Sequence, residues 1–137
     1  MQLWKSFSDL TVGRKLLLGA DCFVKFITGA SSAVTQATNR TTGVTIHATA
    51  GSITTHNASL AAEAAAAFVV TNNKVSVGDV VLVSQRSGAV GAMTTVEVKA
   101  VENGSFTLSV MNGNVAAGTA ETGAIIINFA VIKIGKM

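Results

Sequence analysis

The chain has 137 residues, of which 49% are hydrophobic and only 12% are charged. This length suits one domain with a core of its own, and the high β-branched content excludes a disordered chain. The single cysteine, Cys22, excludes a disulfide framework and a cysteine-rich zinc site. Because the charged fraction is about half that of an average soluble domain, we expect a β-rich protein whose surface packs against other chains.

Residues 1–33 are predicted to form an N-terminal arm, and residues 34–137 a single body. The net charge of +3 lies in residues 1–40, where five basic side chains accompany two acidic ones, whereas the rest carries five of each. The excess favours an arm that docks on an acidic surface, and the alternative is a chance distribution of a few charges. No cluster of Lys and Arg is interleaved with aromatic residues, so we expect no direct nucleic-acid binding. No apolar run is long enough to predict a membrane span, and no signal peptide is predicted.

Both histidines lie in the stretch 41–60, TTGVTIHATAGSITTHNASL. Apolar and polar residues alternate in GVTIHATAG and again in GSITTHNAS, which predicts two strands of a surface hairpin joined by a turn at Gly51-Ser52. His47 and His56 both fall on the polar face. A zinc site would need further ligands nearby, and this stretch contains no acid and no cysteine. We therefore expect a structural hairpin, although a symmetric oligomer could gather one histidine around its axis.

The segment ASLAAEAAAAF, residues 58–68, has the highest helix propensity in the chain. Its alanines form no amphipathic stripe, and it runs directly into FVVTN, which is typical of a strand. From the residues alone, a short helix and a strand remain open.

Strands are predicted along the rest of the body. DVVLVSQ begins one at Asp79, and MTTVEVKAVE places Val96, Val98 and Ala100 on one face. Asn103-Gly104 predicts a tight hairpin with positive φ at both central positions. The strand after it turns alternate apolar residues inward, namely Phe106, Leu108 and Val110.

The final run, AIIINFAVIKI, is apolar on both faces until Lys133. Such a strand is central in a sheet or sandwich with both faces buried, or one of its faces meets another subunit. We expect this strand to be central to the fold.

No arrangement of residues predicts an enzyme. Cys22 lies among Phe23, Val24 and Phe26, which is typical of a buried cysteine rather than a nucleophile. The acids of the body are scattered singly, and nucleophile elbows, phosphate-binding loops and dinucleotide fingerprints are absent. We expect no catalytic residues, no cofactor and no metal.

The body resembles a set of small bacteriophage virion proteins across residues 34–134. The similarity lies in TQATNRTTGVT, in the GSIT…NASLA stretch and in the closing NFAVIK strand. It implies an all-β fold, an antiparallel β-sandwich or jelly-roll-like domain with an extended N-terminal arm. In similar chains the alanine-rich positions hold residues such as Gly, Thr, Val and Ser, which favours a strand or an irregular edge over residues 61–71.

The resemblance also implies a function, that of a head decoration (cement) protein. Such a chain would be made in the host cytoplasm and would sit on the capsid exterior as a dimer or trimer, with the major capsid protein as its partner. The arm would supply apolar and basic contacts, and the alternative is that its apolar residues complete the protein's own core or its oligomer contact. The candidate capsid or oligomer contacts are Trp4, Phe7, Leu10, Arg14, Lys15 and Lys25.

A second function in keeping with the resemblance is a tail, neck or head-fibre component that binds a host receptor or glycan. Glycan binding usually uses exposed aromatic side chains. The body has only Phe68, Phe106 and Phe129, all at strand positions, and the chain has no tyrosine. The sequence therefore favours the decoration protein.

Overall fold

The protein was analysed as a computed structural model, which describes residues 32–134. This part of the chain is all-β: it forms eight strands in two mixed sheets of four strands and contains no helix. It therefore holds no helix that is long and apolar enough to cross a membrane. The strands are β1 (Ala33–Thr35), β2 (Val44–Thr45), β3 (Ala50–Thr54), β4 (Ala65–Thr71), β5 (Val80–Ser87), β6 (Thr94–Glu102), β7 (Ser105–Asn112) and β8 (Ile126–Ile132).

The two sheets have matching layouts. Sheet A has the strand order β1-β3-β8-β5, and sheet B has the order β2-β4-β7-β6. In each sheet a very short edge strand pairs in parallel, β1 with β3 and β2 with β4, while all other pairs are antiparallel. The prediction of purely antiparallel sheets is thus wrong at these two edges. The chain changes sheet after β1, after β2 and after β3. It therefore returns to sheet A at β3 and to sheet B at β4, each time in the direction of the earlier short strand.

The core lies between the inward faces of the two sheets. Period-2 alternation places one set of apolar side chains in this layer, where each buried residue of this size contributes about 1.5–3 kcal/mol. The rings of Phe106 in sheet B and Phe129 in sheet A meet across the layer, with centroids 5.5 Å apart. The apolar residues with at most 1% exposure are Ile53, Val70, Phe106, Leu108, Val110, Ile125 and Ile127.

The predicted hairpin between β6 and β7 is confirmed, with Glu102 paired to Ser105 across Asn103-Gly104. Of the two turn residues only Gly104 has a positive φ, of 81°, so the expectation for Asn103 is wrong. The alternation along β6 also changes, because the register shifts between Val98 and Ala100. As a consequence Val101, and not Ala100, packs against the core.

The predicted hairpin within residues 41–60 is wrong. Strand β2 lies in sheet B and β3 in sheet A, so the two do not pair. Gly51 is not a turn residue but lies inside β3, where a Cβ would come within 2.5 Å of the Ser32 carbonyl oxygen. The glycine is needed for this close approach, at which the Ser52 N–H donates to the same carbonyl at 2.9 Å.

The alanine-rich segment is extended, as the resemblance implies. Residues 61–64 form a turn, in which Glu63 has a φ of 57°, and β4 begins at Ala65. Exposed and buried residues alternate strictly along β4. The small alanines of this strand pair with β7, and those on the outward face are exposed to solvent. Pairing with β7 thus overrides the helix propensity of alanine.

The prediction that the last apolar strand is central is confirmed, since β8 lies between β3 and β5. Only one of its faces is buried by residues 32–134. Ile127, Phe129 and Val131 point into the core, whereas Ile132 on the other face is 41% exposed.

Candidate functional site

The most strongly perturbed charged residues lie together in the loops at one end of the sandwich. Arg40 follows β1, Glu121 precedes β8, and their side chains are 4% and 0% exposed. We call these two residues, with Thr55 and Thr94, the polar cluster. Buried charges of this kind mark either a functional site or a structural network, and the hydrogen bonds decide between the two.

The Glu121 carboxylate is surrounded by donors. Its Oε1 accepts hydrogen bonds from the N–H groups of Gly123 at 2.6 Å and Val90 at 3.0 Å. Its Oε2 accepts from the Gly91 N–H at 2.8 Å and from the Thr94 hydroxyl at 2.5 Å. Burial alone would raise the pKa of this carboxyl, but the hydrogen bonds outweigh burial and lower the pKa to about 2. Glu121 is therefore ionised at neutral pH.

Arg40 is held by carbonyl and hydroxyl oxygens rather than by a carboxylate. Its guanidinium donates to the carbonyls of Glu121 at 3.1 Å and Gly123 at 2.9 Å, to the Ala58 carbonyl, and to the Thr55 hydroxyl at 3.3 Å. Burial lowers the pKa of Arg40, and the charge of Glu121 opposes this shift. The arginine thus compensates the buried negative charge and satisfies backbone carbonyl groups of two loops, one with Ala58 and one with Glu121 and Gly123.

Two glycines allow these loops to meet. A Cβ on Gly123 would lie 1.8 Å from the Gly88 carbonyl oxygen, and a Cβ on Gly88 would lie 2.0 Å from the Ala124 carbonyl oxygen. Gly88 also has a φ of 89°, a conformation that other residues rarely adopt. The loop that contains Val90 and Gly91 can therefore reach Glu121 only because both positions are glycine.

The polar cluster is complete in itself. Within residues 32–134, no buried side-chain nitrogen or oxygen is without a hydrogen-bond partner. A carboxylate that accepts four hydrogen bonds and has a pKa near 2 is a poor general base at neutral pH, because it binds a proton weakly. The arrangement ties together loops that follow β1, β3, β5 and β7, which is a structural task.

The two histidines lie apart and each binds backbone. His47 is exposed, as predicted, and its Nδ1 accepts from the Asn73 N–H at 3.1 Å. His56 is half-buried, and its Nδ1 accepts from the Ala58 N–H at 2.9 Å. In the part of the chain that the structure describes, no group of three His, Cys, Asp or Glu side chains could hold a metal ion.

The candidate contacts of the arm lie outside the described residues, as does Cys22. The structure therefore leaves this set as a prediction, namely Trp4, Phe7, Leu10, Arg14, Lys15 and Lys25.

Sequence reasoning missed the polar cluster. Arg40 was counted with the basic residues of the N-terminal region, and Glu121 as one of the acids scattered in the body. The two residues are 81 positions apart, and no motif joins them. The one available signal was the glycine that follows Glu121 by two residues, in ETGAIII.

The outward faces of the two sheets differ in charge. The outward face of sheet B carries Glu97 and Glu102 on β6, and Lys99 at the register shift pairs with Glu97 at 2.6 Å. The register of sheet A assigns only uncharged residues to its outward face, which we call the sheet A face. Its residues are Ala33 and Thr35 of β1, Ala50, Ser52 and Thr54 of β3, Ile126, Asn128, Ala130 and Ile132 of β8, and Val80, Leu82 and Ser84 of β5.

Comparison with known proteins gives no family model that matches, no matching curated protein and no matching solved structure. The resemblance to phage virion proteins, and the function it implies, thus remain predictions.

Proposed function

We propose that the chain is a bacteriophage head decoration (cement) protein that acts by contact and not by catalysis. It would bind the outer capsid surface as a homo-oligomer and stabilise the shell against the pressure of the packaged DNA. The proposal includes the finer description of the fold as jelly-roll-like with an extended N-terminal arm over residues 1–33. It also includes the capsid exterior as the location and the major capsid protein as the partner.

The observation that carries this proposal is the self-sufficiency of the polar cluster. Glu121 and Arg40 are the residues best suited to chemistry by their burial and charge, and their hydrogen-bonding groups are directed to the protein's own loops. What the described residues offer to other molecules is two broad sheet faces. Broad faces of this kind are suited to binding large partners.

The position of the aromatic residues favours decoration over glycan binding. Phe68, Phe106 and Phe129 are the aromatic residues of the described part of the chain, and they are 2%, 1% and 4% exposed. They pack in the core, so none of them can stack on a sugar ring. This weakens the case for a receptor-binding tail or fibre module.

The arm supplies the second part of the proposal. Residues 1–31 contain the single tryptophan of the chain and four of its ten basic residues. Trp and Arg are the residue types that most often dominate binding energy at interfaces. We therefore assign Trp4 and Arg14 to the contact with capsid proteins, with the basic groups facing acidic capsid residues.

The test is cosedimentation of the purified chain with capsids of the phage that encodes it. Reversing two charges in the arm, with Arg14→Glu and Lys15→Glu, should weaken capsid binding at least about tenfold, because close charge pairs across an interface are strongly coupled. Lys74→Glu is the matched control, since Lys74 is an exposed basic residue of the body. Equal binding of the arm variant and the control would contradict the docking arm. Binding of the chain to tails but not to heads would favour the tail or fibre function.

A further inference from the structure

Strand β8 presents two apolar faces, and the fold buries only one of them. The inward residues complete the core, while the outward Ile132 is 41% exposed. The neighbouring strand β5 adds Val80, which pairs with Ile132 and is 42% exposed, and Leu82, which pairs with Ala130 and is 53% exposed. These side chains form one continuous apolar area at one end of the sheet A face. A central strand that is apolar on both sides is typical of a sheet covered on both sides.

Polar, uncharged groups border this apolar area on one side. Ser84 and Asn128 pair with each other across β5 and β8, and Ser52 on β3 pairs with Asn128 from the other side. Beyond the strand ends, Asp79 directly precedes Val80 and forms an ion pair with Lys133, which directly follows Ile132. The exposed Arg86 lies at the register shift between Gln85 and Ser87 at the far end of β5. An apolar centre with a hydrogen-bonding rim is the usual composition of a protein–protein interface.

The charge pattern identifies the occupant. We propose that the sheet A face binds the same face of a second copy of this chain in a two-fold symmetric dimer. A two-fold contact places the patch on itself, so a charge near the axis meets its own like charge, and a charge farther away is buried against another residue of the same patch. The residues that the register assigns to the sheet A face carry no charge, and residues 32–134 as a whole balance five basic residues with five acidic ones.

The outward face of sheet B is unsuited to such a contact. It is equally extended, but Glu97, Lys99 and Glu102 lie along β6. Pairing this face with itself would bury charges that are solvated in the single chain, which costs free energy. The two faces therefore have different partners, and only the sheet A face can pair with a copy of itself without burying charges.

This inference deepens the homo-oligomer of the proposed function and rests on that part of it. It is tested on the purified full-length chain without capsids, so that a failure of the interface and a failure of capsid binding are distinguishable. If the arm variant fails to bind capsids, that result says nothing about whether the protein is a dimer in solution.

The experiment compares one substitution on each sheet face by sedimentation velocity over a range of concentrations. Leu82→Lys places a charge within the apolar area of the sheet A face, and it enters a two-fold interface twice. Val69→Lys is the matched control, because Val69 is 47% exposed on the outward side of β4 in sheet B. Circular dichroism and thermal melting establish that both variants fold.

We expect the wild type and Val69→Lys to sediment as dimers, and Leu82→Lys to associate more than about tenfold more weakly, because a buried unpaired charge is strongly unfavourable. A wild type that stays monomeric at every concentration would overturn the inference. So would a trimer, or a Leu82→Lys variant that associates as the wild type does.

A cross-linking measurement distinguishes the second copy from the chain's own residues 1–31 as the occupant. Leu82 is replaced by photoreactive p-benzoylphenylalanine in a mixture of isotopically light and heavy chains. Light–heavy cross-links to β5 or β8 support the dimer. Cross-links to residues 1–31 would show that the arm covers the face, and they would contradict the dimer.

Discussion

The polar cluster and the sheet A face are opposites in appearance and in use. The polar cluster gathers a buried acid, a buried arginine and several hydroxyl groups, the residue types expected of a site, and its hydrogen bonds are all made within the chain. The sheet A face consists of small, hydroxyl-bearing, amide and aliphatic residues without charge, and several of its apolar side chains are left exposed. In this fold, charged residues hold the loops together, and the surface available for function is built from unremarkable strand residues.

The largest effect in this comparison is expected from Glu121→Ala. The substitution leaves the N–H groups of Val90, Gly91 and Gly123 without an acceptor and leaves Arg40 as an uncompensated buried charge. Each buried donor left without an acceptor costs about 1–3 kcal/mol, so three of them cost at least about 3 kcal/mol. We therefore expect the free energy of unfolding to fall by about this amount in urea denaturation.

Glu97→Ala is the control for this variant. Glu97 pairs with Lys99 on the surface, with about half of each side chain exposed, and such pairs contribute about 0.2–1 kcal/mol. If Glu121→Ala were no more destabilising than Glu97→Ala, the polar cluster would not be the structural element described above.

A smaller loss of stability is expected when the pH is lowered, and it isolates the contribution of the Glu121 charge. The pKa of this carboxyl is about 2 in the folded protein and 4.5 without the fold. The unfolded chain therefore binds the proton first, so this contribution to stability is full above about pH 4.5 and is lost as the pH falls towards 2. The loss over this range is about 3 kcal/mol for a shift of this size.

The measurement is the free energy of unfolding against pH for the wild type and for Glu121→Gln. We expect the wild type to lose more stability than the variant between pH 4.5 and 2, because the variant cannot bind the proton. Asp79 also has a lowered pKa, chiefly from its hydrogen bond with Lys133. Its contribution to the pH dependence of the unfolding free energy is the same in both proteins, so it cancels in the comparison. Parallel curves would refute the assignment to Glu121.

The close approach of two loops gives the third prediction. Gly123→Ala places a Cβ 1.8 Å from the Gly88 carbonyl oxygen, which forces the loops of the polar cluster apart. We expect a loss of about 1–3 kcal/mol, the usual cost of overpacking. Chemical denaturation of the variant measures this loss.

Gly118→Ala is a contrasting variant, because Gly118 has open space around it but a φ of 89°, whereas Gly123 is not among the glycines with a positive φ. It reports only the conformational cost of a left-handed residue, about 1–2 kcal/mol. Wild-type stability in Gly123→Ala would mean that the loops are not in contact at this point.

The sequence predicts the strands well where the period is strict. Alternation in β7 gave the buried set of Phe106, Leu108 and Val110, and the two-residue turn at Asn103-Gly104 gave the one hairpin. These features depend on neighbours a few residues away. The same logic failed at Gly51, because a glycine required by a distant strand looks the same in the sequence as a turn glycine.

The polar cluster could not be predicted for a related reason. Its contacts join residues far apart in the chain, such as Arg40 with Gly123 and Thr55 with Ile125. Single acids and threonines carry no spacing signal. The sheet A face, in contrast, was indicated by the two-sided apolar character of β8, which predicts either a strand buried on both faces or a face that meets another subunit.

The most direct test of the account is a cryo-EM reconstruction of the particle that contains this chain. We expect copies to cover the outer surface of the head at every capsomer, with the sheet A faces of neighbouring copies in contact and residues of the arm against the major capsid protein. Copies confined to the tail or to fibres, with both sheet faces open to solvent, would contradict it.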